Sequence, residues 1–260
     1  MIAAVLVTHN SAAFLPELLA SIDQQTQRPD IKIAIDDNST DATKEILSAH
    51  DFTVHNATTS STDITTRIAQ NFVQGVNQAQ QLGAKYVILG DHDDTWRPTR
   101  IAHQAAILTD HPEVSFLASD GATTTHKTAT TQTLRSTVPV PDNFNEMDST
   151  QQWRYVSKHS IATGGASALA PDRISTVSVP TGWLHDRWWS LRAVREQSIW
   201  IDSDVVIDYR ISPEQRVGLD TAGQGNPITW ALNKITNLPL NLRKARDIAA
   251  LLKETPNPSG

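Results

Sequence analysis

Short apolar runs alternate with amphipathic stretches through the first 120 residues. Residues 2–7, 31–35, 52–55, 86–89 and 114–118 are rich in aliphatic and aromatic side chains and read as strands. Between them, apolar positions recur at helical spacing. Phe14, Leu15, Leu18, Leu19 and Ile22 form one face of a helix over 13–25. Ile64, Ile68, Phe72 and Val76 form one stripe of another. Ser39 or Thr40 is placed to cap a helix through Leu47. Pro98 is placed in the first turn of a fourth, where its missing N–H costs little. This alternation predicts an α/β fold with a mostly parallel sheet flanked by helices. Ligands of such sheets collect beyond the carboxyl ends of the strands, so the residues that follow each apolar run are the ones to inspect for chemistry.

Residues 121–152 break the pattern. They are thick with threonine and poor in apolar residues, and read as a solvent-exposed excursion, with a mobile lid or acceptor loop as the alternative. From Trp153 the globular pattern resumes, with a short strand over 166–169, a helix over 184–194 and a strand over 205–211. The tail, 228–254, holds two amphipathic segments broken around Pro239 and is locally basic through Lys234, Arg243, Lys244 and Arg246. Packing against the domain is the preferred role for it, and a peripheral contact with an anionic membrane the alternative.

Composition narrows the classes. Hydrophobic residues make up 39% of the 260, enough for a sizeable core. The net charge of −6 argues against a general nucleic-acid surface. With no cysteine, disulfides and thiolate metal sites are excluded. The first apolar run lacks a basic flank and a small-residue cleavage site, and no apolar stretch reaches the roughly 20 residues of a membrane span. The expectation is a soluble cytoplasmic protein, possible contact with the inner face of a membrane resting on the tail alone.

Four segments carry candidate chemistry. Thr8, His9, Asn10 and Ser11 follow the first strand, where small polar residues present backbone N–H groups to an anion or simply cap the helix. Asp36 and Asp37 end the second strand; turn chemistry explains one acid, and the other can accept the ring N–H of a pyrimidine base. Asp91, Asp93 and Asp94 follow the fourth strand. Three carboxylates in four residues repel strongly unless a cation neutralises them, and hard oxygen ligands favour magnesium or manganese bound with substrate phosphates. Farther on, Gly164 and Gly165 allow either a close backbone approach to a ligand or an ordinary turn. His185 and Asp186 stand among Trp183, Trp188 and Trp189, a setting that suits a general base beside a sugar platform, or plain packing of helix aromatics.

In order and spacing these segments resemble family 2 glycosyltransferases, of the rhamnosyltransferase-like subgroup. The likeness rests on Val5-Leu6-Val7-Thr8-His9-Asn10, Asp36-Asp37-Asn38-Ser39-Thr40-Asp41, Asn71-Phe72, Asp91-His92-Asp93-Asp94-Thr95-Trp96, Gly164-Gly165, His185-Asp186-Arg187-Trp188-Trp189 and Tyr209-Arg210. It implies a GT-A fold over residues 1–225, with a nucleotide-binding half (1–120), an acceptor and catalytic-base half (153–218) and a helical extension (226–260). It also implies an inverting transfer from a nucleoside-diphosphate sugar, dTDP- or UDP-linked, to a hydroxyl of a glycan, a lipid-linked glycan or a protein, in cell-surface polysaccharide or glycoconjugate synthesis. By the same resemblance Thr8, His9 and Asn10 line the nucleotide, Asp37 contacts the base, and Arg67 faces the nucleotide or phosphates. Asp91 and Asp93 hold Mn2+ or Mg2+, Asp94 meets the donor sugar, and Asp186 is the base. Gly164, Gly165, His185 and Trp188 form a donor and acceptor loop. Two departures stand out: His9 occupies a place where many relatives have tyrosine, and Ser212 one where many have a histidine for the metal or diphosphate. Water, His185 or Glu214 is then left to complete the metal's shell.

Two other readings compete. Asp91-x-Asp93-x-Thr95, with Asp204 and Asp208 as a distal pair, imitates a haloacid-dehalogenase-like phosphatase, although that nucleophile follows the first strand of its core. Loss of the histidine would also suit a nucleotide-sugar-binding protein that no longer transfers. The sugar, the acceptor and the oligomeric state are not encoded in any motif.

Overall fold

The structure, a computed structural model, describes residues 1–125, 128–211 and 238–254. One nine-stranded sheet organises it. Strands β1 (Ile2–Thr8), β2 (Ile31–Asp36), β3 (Thr53–Asn56) and β4 (Tyr86–Asp91) lie parallel in the order β3-β2-β1-β4. Beyond β4 the sheet turns mixed. There β8 (Ser167–Leu169) is antiparallel to both β4 and β6 (Phe116–Thr125), and β9 (Ile199–Ile211) runs parallel to β6. The two-residue β5 (Thr95–Trp96) pairs with β9, and β7 (Thr128–Thr133) with β6.

All seven residues of β1 are buried, as a central strand covered on both faces requires. Its alternation assigns the two halves of the core. Ala3, Val5 and Val7 meet Phe72 and Val76 of α3 (Ile64–Gln81), together with α7 (His185–Arg195). Ile2, Ala4 and Leu6 face Leu15, Leu18, Leu19 and Ile22 of α1 (Leu15–Asp23), and Ile101 and Leu108 of α4 (Arg100–Asp110). Each fully buried leucine or isoleucine contributes about 1.5–3 kcal/mol. Helix α3 lies so near the sheet that a Cβ at Gly75 would stand 2.5 Å from Val5 Cγ1. Its start is fixed by Asp63, whose side chain accepts the Thr66 N–H at 2.8 Å.

Several local expectations change. Helix α2 (Thr43–Ala49) begins after Ser39 and Thr40, and its N-cap residue Ala42 makes no side-chain cap. Ser39 and Thr40 instead bond to Asn10: the Asn10 N–H donates to Ser39 Oγ at 2.8 Å, and the Thr40 N–H to Asn10 Oδ1 at 2.8 Å. The threonine-rich segment is not an irregular excursion. It extends β6, returns as β7, and continues through the short α5 (Leu134–Thr137) to α6 (Ser149–Val156). Threonine is β-branched and fits a pleated strand, so scarce aliphatic residues concealed a ladder in which Thr123 is buried and bonds to the Gln132 carbonyl at 3.0 Å.

Pro239 opens rather than breaks a helix. It lies in the first turn of α8 (Leu238–Lys253), whereas 228–237 fall outside the described residues. Helix α8 packs on α7: Leu251 is buried, Trp183 Nε1 donates to Asp247 at 2.9 Å, and Arg192 meets Glu254 at 2.8 Å. Among the described residues no helix is long and apolar enough to cross a membrane.

Candidate active site

The three candidate strand ends lie side by side. Thr8 is in register with Asp36, and Val7 with Asp91, so the loops after β1, β2 and β4 open along one edge of the sheet.

At the β1 and β2 ends the polar groups are mutually satisfied. Asp36, fully buried, accepts from the Ser39 N–H at 3.0 Å and meets Lys44 at 3.3 Å. Thr8 Oγ1 donates to its other oxygen at 3.3 Å. Asp37 is held by Arg67 Nη2 at 2.6 Å across the sheet, which joins two of the residues singled out for the nucleotide. His9 Nδ1 lies 2.6 Å from the Asp37 carbonyl oxygen. Asn10 and Asn38 adopt left-handed backbone, φ 48° and 58°, a region asparagine tolerates better than most residues. The two turns are locked through Asn10, Ser39 and Thr40.

The carboxylates after β4 are in a different condition. Asp94 is buried and its Oδ1 accepts the Arg210 N–H at 3.0 Å, while Oδ2 has no partner among the described residues. Burial, then Asp93 and Asp91, push its pKa well above the ordinary carboxylate range. Asp91 is pushed up to about 7, by burial first and then by Asp93 and Asp186, although the Gly165 N–H donates to it. Both carboxylates converge on Gly165, where an added Cβ would stand 2.6 Å from Asp94 Oδ2 and 2.8 Å from Asp91 Oδ2. Only glycine leaves that space open. An orphaned buried oxygen, two carboxylates resisting ionisation and a cradle kept clear of side chain are what a divalent cation would relieve, so Asp91 and Asp94 fit the ion the sequence implies, although the three acids do not bring their oxygens mutually within 4.8 Å.

Gly164, the neighbouring residue, serves the other candidate. Its N–H donates to Asp186 Oδ2 at 3.1 Å, and the Arg187 N–H donates to Oδ1 at 2.6 Å. Burial raises Asp186 to about 6 against these two amides. Thus one Gly-Gly step, fixed by the 3-10 turn Gly164–Ala166, adjoins the lone base candidate on one side and the acidic cluster on the other.

Two aromatic candidates are buried rather than displayed. His185 stacks on Phe72 at 3.9 Å between ring centroids and lies edge-on to Trp189, with neither ring nitrogen partnered among the described residues. Burial holds it neutral, its pKa lowered to about 3. Its ring abuts Gly164 so closely that no Cβ fits there. Trp188 is 3% exposed and packs on Trp183, with its ring under Arg192. Ser212 and Glu214 lie outside the described residues.

Two arginines border the site: Arg100 was not singled out from the sequence, and Arg210 appeared there only within the Tyr209-Arg210 pair, with no role given. Arg100 is fully buried behind the acids, stacked over Trp96 at 4.1 Å, donating to the Leu89 carbonyl at 2.6 Å and to Gln104 at 3.2 Å. Burial lowers it to about 9 while Asp94 and Asp91 oppose the shift. Arg210 fastens β9 over the acidic loop: its Nε donates to the Asp93 carbonyl at 2.9 Å and its Nη2 meets Glu17 at 2.6 Å. A signal for Arg100 existed, since Arg100 and Gln104 fall on the same stripe of α4 as Ile101, Ala105 and Leu108.

Among the described residues, one group of three potential metal ligands has its atoms mutually within 4.8 Å: His103, Asp202 and Asp204. It lies toward the start of β9, away from Arg210 at its end, and His103 Nε2 already pairs with Asp202 at 2.9 Å. Asp208 pairs with Arg97 at 2.6 Å. The distal acids of the phosphatase reading are therefore engaged elsewhere.

This mixed sheet, with acids at the carboxyl ends of β2 and β4 and the Gly164–Ala166 turn set against them, is the GT-A architecture. The chain belongs to glycosyl transferase family 2, whose sequence profile matches residues 3–168. Solved structures agree on the fold. TarS from S. aureus, determined in complex with UDP, matches with a TM-score of 0.55 at 17% identity, over 82% of this chain and 61% of that one. Glucosyl-3-phosphoglycerate synthase from Mycobacterium tuberculosis, in complex with Mn2+, UDP and glucosyl-3-phosphoglycerate, matches with 0.54 at 16% identity, over 82% and 73%. A mannosyltransferase from Pyrobaculum calidifontis, in complex with GDP-Man and Mn2+, matches with 0.52 at 15% identity, over 83% and 57%. The chain thus spans about 61% of the length of the TarS fragment. No curated protein matches the sequence.

Proposed function

We propose that this protein transfers a sugar from a nucleoside-diphosphate donor to an acceptor hydroxyl with inversion at the anomeric carbon. The observation that carries this reading is the Gly164–Gly165 step, which adjoins Asp186 through one residue and Asp91 and Asp94 through the next. A transferase that displaces a diphosphate in one step needs both: a carboxylate for the incoming hydroxyl, and charge for the departing phosphates.

Each residue then has a task. Asp37, held by Arg67, accepts the ring N–H of a uracil or thymine base. Thr8, His9 and Asn10 line the nucleotide at the β1 end. Asp94, fixed by the Arg210 amide, faces the donor sugar. When bound, a manganese or magnesium ion held by Asp91 and Asp93 supplies the positive charge that stabilises the leaving diphosphate. Asp186 takes the acceptor's hydroxyl proton as that oxygen bonds to the anomeric carbon and the bond to the diphosphate breaks. Its value near 6 suits a base that is ionised at neutral pH yet strong enough to hold the proton. Arg100 stays behind the acids as a fixed counter-charge.

Donors linked to dTDP or UDP suit the carboxylate at the base, rhamnose among the candidate sugars. The product is assigned to cell-surface polysaccharide or glycoconjugate synthesis. Titration calorimetry with UDP, dTDP and GDP, with and without Mn2+, tests the reading. One pyrimidine diphosphate should bind, more tightly with the metal and less tightly in Asp93→Asn. A folded protein that binds none of the three would overturn it.

A further inference from the structure

The first turn of α7 carries Asp186 and then Arg187, and Arg187 stands among cations. Its guanidinium donates to the carbonyls of Ser157, at 3.0 Å, and His159, which places it against the end of α6. On that side an open groove of about 340 Å³ is lined by Arg154, Tyr155, Lys158 and His159, among others. Arg154 and Lys158 are exposed one helical turn apart, and neither side chain has a hydrogen bond or salt bridge to a described residue.

On the other side, α8 brings in Arg243 and Lys244. Lys244 Nζ lies 4.9 Å from the centre of the Trp183 ring, and the Arg243 guanidinium lies against Gly182. Gly182 is itself tied to the start of α3 by its N–H to Thr66 Oγ1 at 2.9 Å. Neither cation forms a salt bridge with a described residue, although Asp63 and Asp247 face the pair. Asp63 is already occupied in capping α3, and Asp247 accepts from Trp183. Lys244 is held below the usual lysine range, by burial first and then by Arg187 and Arg243. Three neighbouring cations, Arg243 exposed and Arg187 and Lys244 partly buried, repel one another, and an anion seated among them removes that cost. A chain of net charge −6 has concentrated this positive charge next to its base.

We infer that the acceptor is a phosphate ester, its phosphate held by Arg243 and Lys244 beside Arg187 and its chain continuing along the α6 groove. The inference rests on Asp186 being the base, since the cations then flank the incoming hydroxyl rather than the donor. The guanidinium fork of Arg243 and the ammonium of Lys244 match the several oxygens of a phosphate better than a neutral glycan. The phosphate belongs to the acceptor itself, and a lipid bilayer is the other source of the same chemistry.

Titrating the full chain with glucose 6-phosphate and with glucose, in the presence of saturating UDP and Mn2+, tests this. The added nucleotide fills the donor's own phosphate site. Glucose 6-phosphate should bind at least about tenfold more tightly than glucose, and less tightly as salt is raised. The double variant Arg243→Gln/Lys244→Gln should lose that preference, while Lys244→Arg keeps it, which separates lost charge from lost helix packing. Equal binding of the two sugars, or an unchanged preference in the double variant, would overturn the inference. So would cosedimentation with phosphatidylglycerol vesicles that depends on the two cations while glucose 6-phosphate fails to bind. The sugar titrations are read whether or not UDP binds: failure of UDP to bind counts against the donor reading, and failure of the phosphate preference counts against this one alone.

Discussion

Two acidic groups stand at the strand ends on either side of β1, and they are solved in opposite ways. After β2, Asp36 and Asp37 have Ser39, Lys44 and Arg67 as partners, every one supplied by the chain. After β4, Asp91 and Asp94 have Arg100 as their buried counter-charge among the described residues, and one oxygen of Asp94 has no partner among them. The first arrangement is a preformed cradle whose electrostatics are settled before any ligand arrives. The second is under strain, which a cation bound as proposed would relieve. The same residue type at equivalent positions thus serves to fix shape in one place and to recruit charge in the other.

The largest effect should come where the strained group meets its base. Asp186→Asn is expected to cut transfer by roughly 10²–10⁴ while UDP affinity, measured calorimetrically, stays within a few-fold. Full activity in that variant would show that the proton goes elsewhere. In the unsubstituted enzyme kcat/KM should fall below pH about 6 as Asp186 takes up a proton, and a pH–rate profile flat through that range would contradict the assignment.

Next is the response to pH and metal. Asp91 and Asp186 have folded values above their ordinary one, so the folded state binds their protons more tightly than the unfolded chain does. Their contribution to stability is therefore complete below pH about 4 and is lost as pH rises through about 6 to 7. Metal-free protein should melt at progressively lower temperature across that window, and Mn2+ should restore the loss most strongly at pH 8. Asp91→Asn should make the metal-free protein more stable at pH 8 by about 1–3 kcal/mol and abolish the response to Mn2+. A variant less stable than its parent would mean that the cluster is not strained.

The settled group should behave in the reverse sense. Asp37→Asn frees Arg67 from a largely buried partner and should destabilise the fold by about 1–3 kcal/mol at any metal concentration, with weaker pyrimidine diphosphate binding. Denaturant melts with and without Mn2+ would expose any metal dependence. The smallest effect belongs to Lys44→Gln. Lys44 is partly exposed, and its loss should cost less than about 1 kcal/mol because two further hydrogen bonds to Asp36 remain.

How much of this was legible in the sequence differs along the chain. The strand ends were, because apolar runs followed at once by acids or small polar residues localise both an element and its chemistry. Asp37, Asp91, Asp93 and Asp94 all appear in that way, whereas Asp186 was picked out by its place beside His185 among three tryptophans. Partnership was not legible. Nothing local says that Ser39 and Thr40 bond to Asn10 instead of capping α2, since both uses draw on the same hydroxyl chemistry and tertiary contact decides between them. Arg100 passes for a solvated helix charge until the sheet is assembled behind it. The β6–β7 hairpin was hidden because threonine supplies strand propensity without the hydrophobic signal by which strands are usually found. The burial of His185 and Trp188 depends on α3 and α8, elements distant in sequence.

The Gly164–Gly165 step also limits how such a protein can change. Consecutive amides of one rigid turn point to the base and to the acidic cluster, so displacing either glycine disturbs both halves of the reaction together. A lineage that takes up a new acceptor, or an engineer who wants one, has little freedom there. Under the proposed function, variation would accumulate in the surrounding elements instead, on α6 and α8 for the acceptor and on the loops after β1 and β2 for the donor. Preferences for donor and acceptor can then drift separately around a junction that stays the same.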